Sequence, residues 1–445
     1  MSLLDGIHDI MDQSTQRALF SNNTQEVRQK VLLFCSSMNI GGTETNVVNI
    51  ARTIDRKKFD IKVYCLFSGG PLESQLKENA VSYTIGHFQR VYHFKVYWNI
   101  LKMMRTSKVD VLHCFGYPTI YLGILLGRLA GVKKIIVSIQ AWDAWKKWYH
   151  VILDCLLAPL VDLYIADGKG ARVFAIKQQR LNPNKIMTIY DGVDFNSCKS
   201  VDSYRKLKKE LGLSEDFPVV AVIARLDDKM KGISYFLESI PAILKEFPNT
   251  NFMIVGDGKD RGNLEYKANK LGIGKRLLFT GFRLDLNDII NITDILVIPS
   301  VQYESVPKIL VHAMSWSKAI VATKIGDICE LLEDQKTGIL VAPQDSKEIT
   351  NGVVRLLKNP DYARQLGKQA RLRLFSQGLT LEGSVKNLEN QYINLGLYER
   401  RSGFSKVYLI VVLILATCGF FIGSFVGYLK HKLRGVLSYE TYNDK

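Results

Sequence analysis

Residues 30–44 read KVLLFCSSMNIGGTE, and residues 218–232 read PVVAVIARLDDKMKG. Each opens as a short apolar run and breaks at a turn before helical spacing sets in. An apolar run with no polar alternation suits a strand covered on both faces of a parallel sheet. Outward from the first, such runs recur at Ile61–Phe67, Val109–Cys114, Lys134–Ile139, Leu163–Ala166 and Lys185–Ile189. Between them lie segments of helical period, as at Thr43–Thr53 and Ile120–Ala130. Outward from the second, they recur at Asn251–Val255, Leu277–Thr280, Ile295–Ile298, Ala319–Ala322 and Gly338–Val341. This double alternation predicts an α/β chain with two Rossmann-like, doubly wound domains. Such sheets bind ligands at the carboxyl ends of their strands, so two facing domains create a cleft there.

The boundaries follow. Residues 1–29 are an extension, 30–195 the first domain, and 196–216 a basic linker carrying a short helix. Residues 217–378 form the second domain and 379–398 a closing helix. The chain has 445 residues, with 47% apolar and 23% charged, which suits globular domains. Its net charge of +16 favours anionic partners. Nucleic acid is not expected, because no aromatic RNA-reading motif or zinc spacing is present. The seven cysteines include no CxxC pair. They are expected as small buried hydrophobes in a reducing compartment. The amino terminus has no basic start followed by an apolar core, so it does not read as a secretory signal.

Residues 407–428 read VYLIVVLILATCGFFIGSFVGY, without a charge. At the α-helical rise this run spans about 30 Å, the hydrocarbon thickness of a bilayer. A single-pass transmembrane helix is expected, followed by a basic tail at 429–445. Cations flank both ends, so charge does not set the orientation. Gly419, Gly423 and Gly427 share one helix face and could admit a partner helix.

Four turns carry chemistry. Gly41 and Gly42 follow the first strand and open a helix, whose free N–H groups suit an anion. Arg225, Lys229 and Lys231 follow the second domain's first strand and suit a diphosphate. Val255-Gly256-Asp257-Gly258 places its third glycine, Gly262, too late for a dinucleotide fingerprint and reads as a tight turn. Pro299–Pro307 (PSVQYESVP) leads into a helix, and Glu304 within it can cap that helix or bond sugar hydroxyls.

In this order, with the Gly281-Phe282 turn and Gly326 and Glu330 downstream, these motifs resemble the retaining family 4 glycosyltransferases of GT-B fold. The resemblance covers roughly residues 30–395. It implies an acceptor domain followed by a nucleotide-sugar domain, a UDP- or GDP-sugar donor, and metal-independent transfer without a cofactor. It implies that Gly41, Gly42, Arg225 and Lys231 hold the diphosphate, with Lys229 a rival to Lys231. Gly256, Gly281 and Phe282 would lie along the nucleotide. Glu304, with Ser305 and Val306, would hold the transferred sugar. The family's second motif glutamate is replaced by His312. That change leaves a non-catalytic scaffold of a glycan assembly complex as the alternative reading. His113 matches an active-site histidine, and Gln140 stands where a second is common. From its residues alone, His113 reads first as a buried core histidine.

Residues 87–150 hold ten Lys or Arg against two acids, interleaved with Trp and Tyr. That pattern suits a membrane interface. A lipid-linked or glycan acceptor is therefore expected. Because nucleotide sugars are cytosolic donors, the domains are expected to face the cytoplasm.

Overall fold

A computed structural model describes residues 28–88, 94–140, 146, 148–194, 201–302 and 305–397. Two parallel sheets organise them. The first contains β1 (Gln29–Ser37), β2 (Phe59–Ser68), β3 (Ser82–Ile85), β4 (Val111–Phe115), β5 (Lys134–Ile139), β6 (Leu163–Ala166) and β7 (Ile186–Thr188). Their order is β3-β2-β1-β4-β5-β6-β7. The second contains β8 (Val219–Ile223), β9 (Asn251–Val255), β10 (Leu277–Gly281), β11 (Ile295–Ile298), β12 (Ala319–Thr323) and β13 (Ile339–Val341). Their order is β10-β9-β8-β11-β12-β13.

Both faces of the first sheet are covered, which explains its unbroken apolar strands. Leu32 and Phe34 of β1 face a core with Ile100, Met104, Ile124 and Leu125. Val31, Leu33 and Cys35 face the opposite core with Val47, Ile50 and Tyr392. β3 was absent from the sequence expectation. It is an edge strand with alternating exposed and half-buried residues, so its apolar signal is weak. The basic segment after the first domain forms the helix Val201–Glu210. Its Leu207 packs with Val219, Met253 and Ile289, so the helix is part of the second domain's core.

The last described helix, Leu381–Leu397, returns to the first domain. Leu381, Val385, Leu388 and Tyr392 join the β1 core. Glu389 accepts a 2.7 Å bond from the Asp55 amide. The Tyr392 hydroxyl lies 2.8 Å from His113 Nδ1. Just before this helix, the chain pairs with its own outward crossing. Val193 N donates to Leu379 O at 3.2 Å, and Leu381 N donates to Val193 O at 3.0 Å.

The cysteine expectation needs correction at two positions. Cys35, Cys65 and Cys114 are buried, but Cys155 and Cys329 are exposed. Their helices turn those positions to solvent, a face that count and spacing do not reveal. Cys198 and Cys418 lie outside the described residues, as does the apolar run 407–428 with Gly419, Gly423 and Gly427. Among the described residues, no helix is long and apolar enough to cross a membrane.

Tyr392 links the returning helix to the sheet by volume and by its hydroxyl. Tyr392→Phe should cost about 1–2 kcal/mol, one buried hydrogen bond. Tyr392→Ala should cost about 3–5 kcal/mol through the cavity it leaves. Urea unfolding of the two variants beside the parent measures the difference.

Candidate functional site

In each sheet the strand order reverses once, between β1 and β4 in the first and between β8 and β11 in the second. Adjacent loops leave such a point in opposite directions and open a crevice at the carboxyl ends. The turn after β1 carries Gly41 and Gly42, and His113 lies at the middle of β4 rather than at its end. The turn after β8 carries Arg225, and the loop after β11 begins at Pro299. The motifs therefore sit at the two switch points.

In the second domain, four loops are knit together. Val301 N donates to Met230 O at 2.9 Å, joining the Arg225–Lys231 turn to the loop after β11. Gly232 has φ +60, and a Cβ there would stand 2.2 Å from Pro299 O, so glycine alone fits. Gly256 has φ +130, and its Cβ would stand 2.0 Å from Ala224 O. Its N–H donates to Gly281 O at 2.9 Å. Gly256 thus lets the loops after β8, β9 and β10 close on one another. Arg225 is exposed, and its Nη2 lies 3.9 Å from Met230 Sδ. Lys231 is half-buried at the end of the turn Asp228–Lys231. Phe282 is 54% exposed, an aromatic face open to solvent beside Gly281.

The two domains meet through the helix Lys308–Ser315 and the loop before it. Lys308 Nζ hydrogen-bonds Gly42 O and forms a 3.0 Å ion pair with Asp191. Ser305 Oγ lies 3.2 Å from Asp167 Oδ2 and 3.5 Å from Gln140 O. Val306 packs at Gly168. Asp327 accepts a 2.8 Å bond from Gly170 N and so caps the first domain's helix Lys169–Lys177 from across the boundary. Tyr190 donates to Glu330 at 2.6 Å, and Arg52 pairs with Asp194 at 3.0 Å.

Burial shapes the charge states here. Asp167 is 8% exposed, and its carboxyl is pushed well above the usual range by burial and by Asp191, with Lys308 opposing. Burial also raises Glu44, whose carboxylate folds back over Gly41, against the pull of its own amide and Lys308. His113 is 1% exposed, and burial lowers it to about 3. Its Nε2 lies 2.9 Å from Ser138 Oγ, so both ring nitrogens are bonded. His312 falls to about 4 through burial and the nearby charge of Lys308. Gln140 Nε2 and Oε1, Asp167 Oδ1 and His312 Nδ1 are buried without hydrogen-bond partners among the described residues.

Of the residues named from sequence, the structure brings Gly42, Ser305, Val306 and His312 to the domain boundary. Gly41 adjoins Gly42, with the Glu44 carboxylate over it. His113 sits beneath this boundary, on β4. Glu304 lies outside the described residues. Sequence reading missed Lys308, Asp191 and Asp167. A signal existed for Lys308, because a lysine at a helix start opposes the helix dipole and so needs an anionic partner elsewhere. Asp167 gave none, since only the fold shows it sealed.

The comparisons agree with this geometry. Residues 40–197 match the model of Glycosyltransferase Family 4, and residues 203–373 match Glycosyl transferases group 1. The chain is similar to the UDP-Gal:alpha-D-GlcNAc-diphosphoundecaprenol alpha-1,3-galactosyltransferase of Escherichia coli, at 26% identity over 77% of this chain and 91% of the relative. It is similar to the N-acetyl-alpha-D-glucosaminyl L-malate synthase of Bacillus anthracis, at 27% identity over 62% of this chain and 72% of that one. The crystal structure of Anabaena Alr3699/HepE in complex with UDP-glucose superposes with a TM-score of 0.73. It is 20% identical, over 82% of this chain and all of the other. The chain is a nucleotide-sugar-dependent glycosyltransferase with two Rossmann-like domains. Its two sheets fit the GT-B fold, with an amino-terminal half that matches family 4 and a carboxyl-terminal half that matches group 1.

His113 and His312 are held neutral in the fold, whereas an unfolded histidine titrates near 6.5. Folding is thus favoured in full above about pH 6.5, and that contribution is lost as pH falls from there towards 3–4. Each imidazole contributes up to about 1.4 kcal/mol per pH unit within this window. The raised Asp167 and Glu44 carry the opposite sign, so a difference isolates the effect. Urea midpoints measured from pH 7 to 4.5 should fall less steeply for His113→Gln than for the parent.

Proposed function

We propose that the chain transfers a hexose from a UDP-sugar to a hydroxyl of a lipid-diphosphate-linked sugar at a membrane, with retention of anomeric configuration. The observation that carries this reading is the contact of Lys308 with Gly42 and Asp191 across the boundary. It sets the loop after β11 against the glycine turn at the switch points of both sheets. The similarity to an enzyme named for a UDP-Gal donor and a diphosphoundecaprenol-linked acceptor supports the substrate class. The likeness to a fold solved with UDP-glucose supports the donor's place.

In this reading Arg225, Lys231 and the amides at Gly41 and Gly42 stabilise the departing diphosphate. Developing negative charge on a leaving group is where preorganised cations and N–H dipoles act most strongly. Glu304, Ser305 and Val306 hold the transferred sugar, and His312 replaces a glutamate at the ribose. The sugar passes through an oxocarbenium-like state, and the acceptor hydroxyl attacks the face the nucleotide leaves. The departing diphosphate takes the bonding electrons and accepts the proton of the acceptor hydroxyl, and no metal or cofactor is invoked. His113, neutral and bonded at both nitrogens, shapes the floor beneath the acceptor rather than moving a proton.

The membrane reading rests on the apolar run 407–428 as a single-pass anchor, with the domains on the cytoplasmic side. It is supported by Trp98 at 62%, Trp148 at 74% and Ile152 at 50% exposure on two first-domain helices. Exposed aromatic and aliphatic side chains among lysines suit a headgroup layer.

Arg225→Ala and Lys231→Ala should each lower kcat about 100- to 1,000-fold, and Glu304→Ala should abolish transfer. Radiolabelled transfer to a diphosphate-lipid-linked sugar measures this. Unchanged turnover in all three would remove these residues from the site, and absence of transfer by the parent with every UDP-sugar would refute the catalytic reading and favour a scaffold. A chain ending at residue 400 should float with anionic liposomes, and Trp98→Glu with Trp148→Glu should release it. Failure of the parent fragment to float would remove the interface.

A further inference from the structure

Beside the crevice lies a cavity of about 220 Å³ at the carboxyl ends of β4 and β5. Its walls include Tyr117, Ile120, Tyr121, Ile124, Leu157 and Leu181. Thr43, next to the glycine turn, and Gly116 border it. The volume suits a single sugar ring and excludes a long lipid chain.

Several polar groups at its edge are already engaged. Tyr121 donates to Asp154 Oδ1 at 2.7 Å, and Lys146 donates to Asp154 Oδ2 at 2.9 Å. Ser138 Oγ is bonded to His113 Nε2 at 2.9 Å. Gln140 differs. Its amide nitrogen and oxygen are both buried, and neither has a hydrogen-bond partner among the described residues. Burying one such group unpaired is costly, and burying both on one side chain is rare in folded proteins. A binding site keeps groups of this kind where the ligand supplies the missing bonds. Gln140 also faces the smaller cavity lined by Asn46, His113 and Asp167, and its carbonyl lies 3.5 Å from Ser305 Oγ. It therefore stands between this cavity and the loop that carries Glu304.

We propose that the cavity holds the acceptor's sugar ring and that Gln140 recognises an N-acylamino substituent on it. The inference rests on the transferase reading above and specifies its acceptor. The carbonyl of an N-acyl group can accept from Gln140 Nε2 while a neighbouring ring hydroxyl donates to Oε1, so both open groups are met. The acyl methyl meets the aliphatic and aromatic wall. A hydroxyl in the same position falls short of the reach of the acyl carbonyl and has no methyl to place there.

The test uses the full-length protein in detergent and two synthetic acceptors, phenoxyundecyl diphosphates bearing N-acetylglucosamine or glucose. Transfer is measured with UDP-galactose and UDP-glucose as donors. The parent should prefer the acetamido acceptor by roughly 10- to 100-fold in kcat/KM. Gln140→Leu should erase that preference, and Gln140→Asn should keep part of it. Because the amide is unpaired in the free protein, Gln140→Leu should melt no lower than the parent. UDP affinity by calorimetry reports whether each variant is folded. Equal use of the two acceptors, or a preference that survives Gln140→Leu, overturns the inference while leaving the transferase reading intact. Absence of both UDP binding and transfer in the parent overturns that reading and this inference with it.

Discussion

One ammonium group fixes the relation between the two domains at the site. Lys308 Nζ reaches a backbone carbonyl at Gly42 and a carboxylate at Asp191. Gly42 begins a helix of the first domain, Lys308 begins a helix of the second, and Asp191 lies near the chain's crossing between them. A lone charge half-withdrawn from water needs such partners. Its field then reaches neighbours that do not touch it. It restrains the raised carboxyls of Asp167 and Glu44 and helps keep His312 neutral. The boundary is thus an electrostatic unit more than an apolar seam.

Most of the architecture was legible because a parallel sheet covered on both faces leaves an unambiguous trace. Its central strands cannot alternate, so β1, β4, β8 and β11 read as plain apolar runs. Glycines forced by close approach, such as Gly232 against Pro299 O, marked the turns. Legibility failed where one face meets solvent, as at β3 and at the exposed cysteines Cys155 and Cys329. It failed again where a segment's partner is distant in sequence. The helix Val201–Glu210 reads as a polar connector until Leu207 is seen against Met253 and Ile289.

The candidate site divides along the same line. Residues in a local pattern, such as Gly41, Gly42, Arg225 and Lys231, were visible as turn chemistry after a strand. Residues defined by what faces them were not. Asp167 is an ordinary aspartate in sequence, and its altered acidity comes from Asp191, Asp327 and burial. His113 shows the converse. Sequence leaves open whether it is a proton carrier or a core residue, and Ser138 and Tyr392 occupy both of its nitrogens.

The returning helix Leu381–Leu397 settles a question of attachment. It is rooted in the first domain's core, although it follows the second domain in sequence. Whatever the chain carries beyond residue 397 is therefore borne by the first domain. The outward and return crossings pair at Val193 and Thr380, so the two passes of the chain between the domains lie side by side. Any tether at the carboxyl end would pull on the first domain and reach the second only through the boundary contacts and this crossing.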